Sequence, residues 1–282
     1  MNPDIAILYD TIRWEEKALL ASAKDMGVTI SMVNCKGLHL DLEGKTDKFG
    51  VVLQRCVSYY RNVHSTAALE GMGVDVINCH MTGILAGNKL YSHMLLKNAG
   101  VPTPKATVSF SQEAALKALD EIGYPAVIKP TVGSWGRLIS KINDPEIAGS
   151  ILESRESMYP IYQIHYIEEF VKRPPRDIRA IMVGDEIVAA IYRTSHDNMW
   201  KTNTALGGTA DPCPVTPEME EMCIKASNAV SGKIVGVDLM ESDDGLLVHE
   251  VNNTTEFKNT VRVTGIDIAG AMIKYAIQRA RR

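Results

Sequence analysis

The chain has 282 residues, 45% hydrophobic and 23% charged, and 30 basic side chains against 34 acidic ones leave a net charge of −4. At roughly 150 residues per domain the length points to about two domains, long enough to bury cores without disulfides. The acidic balance argues against a protein that coats nucleic acid, and 6% aromatic residues offer little for stacking bases.

The first 85 or so residues alternate strand and helix signals. Ile5 to Leu8 reads as a buried strand and Arg13 to Met26 as a helix. Val28 to Asn34 and Gly50 to Gln54 are strands, Val63 to Met72 is helical, and Val74 to Asn78 is a fourth strand. Such alternation implies a parallel sheet covered by helices. Lys89 to Asn98 is a helix stopped by Gly100, and Val101-Pro102-Thr103-Pro104 is an extended linker. Ser111 caps a helix ending at Ile122, and Ala126 to Pro130 is a strand.

A glycine-rich turn leads to a strand over Arg137 to Ile142, and Tyr162 to Val171 is an apolar strand carrying Glu168 and Glu169. Asp177 to Val183 and Glu186 to Arg193 form a hairpin on Gly184-Asp185. Met219 to Val230 is a helix, Val235 to Met240 and Leu246 to Asn252 form a second hairpin, and Ile266 to Arg281 is the closing helix. The fold class is α/β followed by two α+β lobes.

No apolar stretch approaches the roughly 18 residues of a membrane span, and Ile5 to Leu8 is too short for a signal sequence. The five cysteines, Cys35, Cys56, Cys79, Cys213 and Cys223, include no C-x-x-C pair. A reducing, cytoplasmic setting is expected, with no membrane or nucleic-acid partner.

Three features carry chemistry. In the second hairpin Asp238 and Glu250 lie almost equally far from the turn, so a regular pair sets them opposite one another, and Asn252 shares a strand face with Glu250. Opposed carboxylates repel unless a cation sits between them, and hard oxygens suit Mg²⁺. The loop Thr131 to Arg137 holds Gly133 and Gly136, with Lys129 just before it, which is consistent with phosphate binding although no P-loop motif is present. Arg179 and Arg193 alternate with apolar residues on neighbouring strands, the pattern of arginines facing a polar cleft, and they are the catalytic candidates. An ordinary hairpin, a surface lysine at Lys89 and structural ion pairs are the competing readings. No nucleophile–histidine arrangement and no dinucleotide fingerprint occurs.

Taken in order, Lys89, Val127-Ile128-Lys129-Pro130, Gly133-Ser134-Trp135-Gly136-Arg137, Ile167-Glu168-Glu169-Phe170, Asp177-Ile178-Arg179, Asp238 and Glu250-Val251-Asn252 resemble the layout of the ATP-grasp ligases. Within them, Arg55-Cys-Val-Ser-Tyr-Tyr-Arg61, Arg176 to Arg179, Thr202-Asn203-Thr204-Ala205 and Glu250 to Asn259 resemble the LysX/ArgX family along the whole chain. The resemblance implies an ATP-grasp fold with an N-terminal pre-ATP-grasp α/β domain over 1–88, a central lobe over 89–172 and a C-terminal lobe over 173–282.

It also implies the activity. Family members use ATP and Mg²⁺ to join the α-amino group of an amino acid to the terminal glutamate of a small acidic carrier protein, LysW. One branch takes α-aminoadipate for lysine biosynthesis and the other glutamate for arginine biosynthesis. After Glu256-Phe257-Lys258 the first branch resembles Asn followed by a small residue and the second Gly-Phe, so Asn259-Thr260 sides with α-aminoadipate. A glutamate-specific or bifunctional ligase is the alternative, a ligase acting on a ribosomal protein tail is a more distant one, and a nucleotide-sensing module without catalysis is the alternative from another class.

By the same resemblance Lys89 and Lys129 would hold ATP phosphates under a flap, Gly133, Ser134, Trp135, Gly136 and Arg137. Glu168, Glu169, Phe170 and Val171 would read adenine through backbone atoms, although Glu168 stands where relatives commonly carry Gln. Asp177 would lie near the ribose and Asn203 near the triphosphate. Asp238, Glu250 and Asn252 would bind Mg²⁺. Arg193, Thr204, Ala205, Glu256, Phe257, Lys258, Asn259 and Thr260 would line the amino-acid pocket, Arg55 and Arg61 would hold the carrier, and a homo-oligomer is expected.

Overall fold

A computed structural model describes residues 5–44, 49–133, 136–196, 200 and 208–281. The chain begins with β1 (Ile5–Tyr9), α1 (Trp14–Asp25), β2 (Ile30–Asn34), β3 (Val51–Gln54), α2 (Tyr59–Gly71) and β4 (Asp75–Ile77). The four strands form a parallel sheet in the order β2-β1-β3-β4. Its unbroken apolar runs follow from burial on both faces. Ile5, Ile7 and Leu53 pack with Leu19 and Ala23 of α1, whereas Ala6, Leu8 and Val52 pack with Leu69 of α2. Helices α3 (His80–Gly87) and α4 (Lys89–Asn98) then lead out, with Asn88 between them capping α4 through its Oδ1.

The second sheet is antiparallel. It combines β5 (Ala106–Ser109), β6 (Ala126–Lys129), β7 (Ser140–Ile142) and β8 (His165–Glu169) in the order β5-β8-β6-β7. Helices α5 (Gln112–Ile122) and α6 (Pro145–Glu156) cover one face, where Leu119 and Leu152 meet Ala126, Ile128, Ile142 and Ile167. Ser111 caps α5 and Asp144 caps α6 through side-chain oxygens. Because side chains alternate across a strand, Val127, Lys129, Tyr166 and Glu168 go to the opposite face.

The third sheet holds β9 (Arg176–Val183), β10 (Glu186–Thr194), β11 (Thr209–Pro212), β12 (Ile234–Ser242) and β13 (Gly245–Asn252), also antiparallel, in the order β11-β10-β9-β12-β13. One face packs against α7 (Pro217–Ala229) through Ile178, Ala180, Val237, Leu239, Met222 and Ala226. After α8 (Lys258–Thr264), α9 (Ile268–Ala280) covers part of the other face and bridges it to the N-terminal sheet. Ile181, Val183, Ile234 and Ile273 share one core with Ile5, Ile7 and Ile77. The N-terminal unit is therefore welded to the C-terminal lobe and not hung on a linker. Among the described residues no helix is long and apolar enough to cross a membrane.

Candidate active site

The uncovered faces of the second and third sheets look onto one cleft of about 640 Å³, closed on a third side by the N-terminal unit. It is lined by Lys129, Glu168, Glu169, Phe170 and Val171 from one lobe and by Asp177, Arg179, Arg193, Asp238, Glu250 and Asn252 from the other. Gly133, Gly136, Glu256, Lys258, Asn259 and Thr260 complete it.

Asp238 and Glu250 are register partners between β12 and β13, for a reason the spacing does not contain. The hairpin pairs Ser242 with Gly245, and regular counting from there places His249 opposite Asp238. A register shift after Asp238 makes His249 the extra residue and brings Glu250 into the facing position. Bulges of this kind re-aim side chains beside active sites. His249 lines the cleft too, with its Nδ1 3.3 Å from Lys129 Nζ. Burial, reinforced by the Lys129 charge, pushes its imidazole towards the neutral form.

The two carboxylates are neutralised by the chain itself, which corrects the repulsion argument for a cation. Arg179 clamps Asp238 in a fork, Nε to Oδ1 and Nη2 to Oδ2, the latter at 2.7 Å. Arg193 reaches the same Oδ2 at 3.0 Å while forking Asp177 at 2.6 and 2.9 Å. Burial alone would raise the Asp238 pKa, but the guanidiniums of Arg179 and Arg193 hold it far below the usual carboxylate range. Burial works against the charge on Arg193, and Asp238 and Asp177 more than offset it. Glu250 Oε1 accepts from Lys89 Nζ at 2.9 Å.

Lys89 holds the glycine loop as well. Its N–H donates to Thr131 O at 2.7 Å and its Nζ to Gly133 O at 2.9 Å. Beyond the loop's centre Gly136 sits at φ +67°, left-handed backbone that favours glycine. Lys129 pairs with Glu168 Oε2, whose other oxygen accepts from Tyr166 Oη at 2.8 Å. Burial lowers the Lys129 pKa, with Glu168 opposing the shift. The side chain at position 168 is thus bound to a lysine, and its backbone sits in the sheet between Ala106 of β5 and Val127 of β6, so a base would meet the chain only beyond it. Along that edge the Glu169 N–H already donates to Lys105 O at 2.9 Å and the Phe170 N–H to Pro125 O at 3.3 Å.

Among the described residues no three His, Cys, Asp or Glu side chains are arranged to hold a metal. A cation here would rest on two carboxylates, the Asn252 amide oxygen and oxygens from outside the chain. Hard oxygens in that number fit Mg²⁺, which takes few protein ligands and completes its shell with water and phosphate.

Two site expectations need correction. Arg55 is only 4% exposed; it binds Glu16 Oε1 at 3.1 Å and Thr255 O at 3.1 Å, which leaves it no surface for a carrier. Arg61 is 51% exposed, with Asp10 Oδ2 at 3.4 Å. Phe257 points away from the cleft into the core, edge-on to Trp14 at 5.8 Å. Ser134, Trp135, Asn203, Thr204 and Ala205 lie outside the described residues, and Arg137 is exposed beyond the cleft lining. The sequence reading did not anticipate His249, Arg13, Asn62 or Arg173 in the cleft. A bulge and contacts between distant segments put them there, and no local spacing encodes either.

Residues 86–276 match the RimK-like ATP-grasp domain, and residues 5–85 match the LysX preATP-grasp domain. The chain belongs to the RimK-like ATP-grasp family. It is 37% identical over 278 residues to the alpha-aminoadipate--LysW ligase LysX of Sulfurisphaera tokodaii, covering 96% of each chain. It is 33% identical over 273 residues to the glutamate--LysW ligase ArgX of the same organism, covering 96% of this chain and 97% of the other. A RimK domain ATP-grasp protein of Sphaerobacter thermophilus shares the fold, with a TM-score of 0.82 at 22% identity over 96% of this chain and 98% of that one. The chain is an ATP-grasp ligase by family, and its three sheets and central cleft are that fold.

Proposed function

We propose that this enzyme joins the α-amino group of α-aminoadipate to the side-chain carboxylate of the terminal glutamate of a LysW-type carrier, with ATP converted to ADP and phosphate. The observation that carries the reading is the convergence of Lys129, Asp238, Glu250 and Asn252 with Glu256, Lys258, Asn259 and Thr260 in one cleft, with Lys89 bonded to Glu250 at its wall. Phosphate-binding cations and a small-molecule pocket are adjacent there, as transfer of a phosphoryl group to a carboxylate followed by amine attack requires.

In this reading Lys89 and Lys129 bind the phosphates of ATP, with Gly133 and Gly136 beside them in the cleft lining. Adenine meets the Val171 N–H and the carbonyl edge of 169–171, the neighbouring N–H groups being engaged. Asp238, Glu250 and Asn252 would hold Mg²⁺, which supplies charge neutralisation on the phosphate oxygens. The carrier's carboxylate takes the γ-phosphoryl group, and the amine of the bound amino acid then attacks the acyl phosphate and expels phosphate. The chain's task is to orient the reactants and to exclude water from the acyl phosphate. Arg179 is committed to Asp238, and Arg193 to Asp177 and Asp238, so both act through the carboxylates they hold.

Thr260, 1% exposed, stands in the cleft lining beside Asn259 and leaves room for the longer amino acid. The likeness to a glutamate ligase supports a second reading, in which the pocket accepts both. The test is ADP formation with Mg²⁺-ATP and purified carrier, α-aminoadipate against glutamate. Turnover with α-aminoadipate alone supports the first reading and comparable turnover the second; turnover with neither removes both.

A further inference from the structure

Helix α8 begins without a cap of its own. Its N-cap residue is Phe257, which makes no side-chain capping bond. The first N–H groups of a helix need acceptors from elsewhere. Here the Phe257 and Lys258 N–H groups both donate to Glu15 Oε1, at 3.2 and 3.1 Å. Glu15 lies 242 residues away from Phe257, in the first turn of α1, and is 4% exposed. A buried carboxylate at this place accepts from the helix start and also complements its positive end.

The rest of the N-terminal unit grips the same segment. Arg55 donates to Thr255 O, Asn62 Nδ2 donates to Thr254 Oγ1 at 3.1 Å, and Trp14 packs on Phe257. Just upstream lie Glu250 and Asn252, and just downstream Asn259 and Thr260 enter the cleft. Glu15 therefore sits where the N-terminal unit sets the origin of the helix that carries the pocket residues.

We propose that Glu15 is a positioning residue for amino-acid selection: it caps α8 from the N-terminal unit and fixes where Asn259 and Thr260 stand. The selection part rests on the pocket assignment made under Proposed function; the cap does not. α-Aminoadipate and glutamate differ by one methylene, and a misplacement of about 1 Å is enough to impair a positioned substrate.

The experiment compares Glu15→Ala and Glu15→Gln in the full chain. Gln keeps a carbonyl oxygen at the accepting position, whereas Ala removes it. For Glu15→Ala the expectation is a rise of about tenfold in KM for α-aminoadipate, matching one or two lost hydrogen bonds. Its kcat/KM ratio of α-aminoadipate to glutamate should fall, with KM for ATP within about twofold of the parent, and Glu15→Gln should restore most of the difference. Hydrogen exchange at the 257 and 258 amides, read without turnover, should quicken in Glu15→Ala and not in Glu15→Gln. Unchanged exchange in Glu15→Ala overturns the cap. Activity lost only in step with thermal stability, at constant KM and constant ratio, overturns the selection role. A parent enzyme inactive with both amino acids overturns the substrate reading, and amide exchange still decides the cap.

Discussion

Lys89 Nζ and Glu250 Oε1 lie 2.9 Å apart although 161 residues separate them in sequence. The same ammonium reaches Gly133 O at 2.9 Å, so one lysine ties the glycine loop, the start of α4 and the carboxylate strand together. Replacing Lys89 by Met removes the charge proposed to bind phosphate and leaves Glu250 without this cation. Loss of a preorganised charge of this kind costs about 10²–10³ in rate. ADP release from Lys89→Met should fall by that order, with an unchanged circular dichroism spectrum; near-normal turnover would remove Lys89 from the nucleotide site.

Glu16 is the buried hub of the N-terminal unit, binding Arg13 at 2.7 Å and Arg55 at 3.1 Å. Burial would raise its pKa, but the hydrogen bond from Arg13 and the charge on Arg55 bring it below the ordinary value of 4.5. A depressed carboxylate contributes stability that is whole above 4.5 and is lost as pH falls through the lower folded value. Glu16→Gln leaves Arg55 buried without its carboxylate, a change costing about 3–5 kcal/mol. The gap in melting temperature between parent and Glu16→Gln should be widest at neutral pH and should close below pH 4.5; a gap independent of pH would mean that the charge on Glu16 is not what holds Arg55.

The parts of this molecule legible in the sequence are those with local causes. The helix over 89–98 and the Ser111 cap are where the punctuation puts them, because Asn88, Ser111 and Gly100 act on their own neighbours. The short helix after Phe257 is not legible in the sequence, since neither a capping side chain nor an apolar period marks it and its cap comes from Glu15. Helix α6, with Asp144 and Pro145 at its start, has a local cause of the same kind, although no helix is expected there in the sequence analysis above. In the site, Asp238 and Glu250 were paired on spacing, yet a bulge at His249 does the pairing. The arginines that neutralise Asp238 come from β9 and β10, and the contribution of Arg13 and Asn62 to the cleft depends on a core shared between α9 and the N-terminal sheet. Such contacts exist only once the sheets are assembled.

Arg155 bears on the glycine loop from below. It is buried in α6, and its Nη2 donates at 2.6 Å to the carbonyl of Leu138, a residue at φ +57°. Its Nη1 is buried with no partner, and burial lowers its pKa. Arg155→Met keeps the aliphatic volume, removes an incompletely paired charge and frees the Leu138 carbonyl. Global stability should change by less than about 2 kcal/mol, while trypsin should cut at Arg137 several-fold faster. Equal cleavage rates in parent and variant would show that Arg155 does not anchor the loop.

Thr260 offers the sharpest test of selectivity. It lines the cleft one position after Asn259, and its small side chain sets the depth of the pocket in the proposed reading. Asn259→Gly with Thr260→Phe introduces the Gly-Phe pair that the glutamate branch resembles. The added ring takes up the space of the extra methylene, so kcat/KM for α-aminoadipate should fall while glutamate is retained or improved. Discrimination on one methylene spans about 10–200-fold, and the preference ratio should move within that range. Single-substrate kinetics with saturating carrier would read it. An unchanged ratio in a folded, ATP-binding double variant would place the selecting contacts elsewhere in the cleft, on the polar wall of Arg179, Arg193 and Glu256.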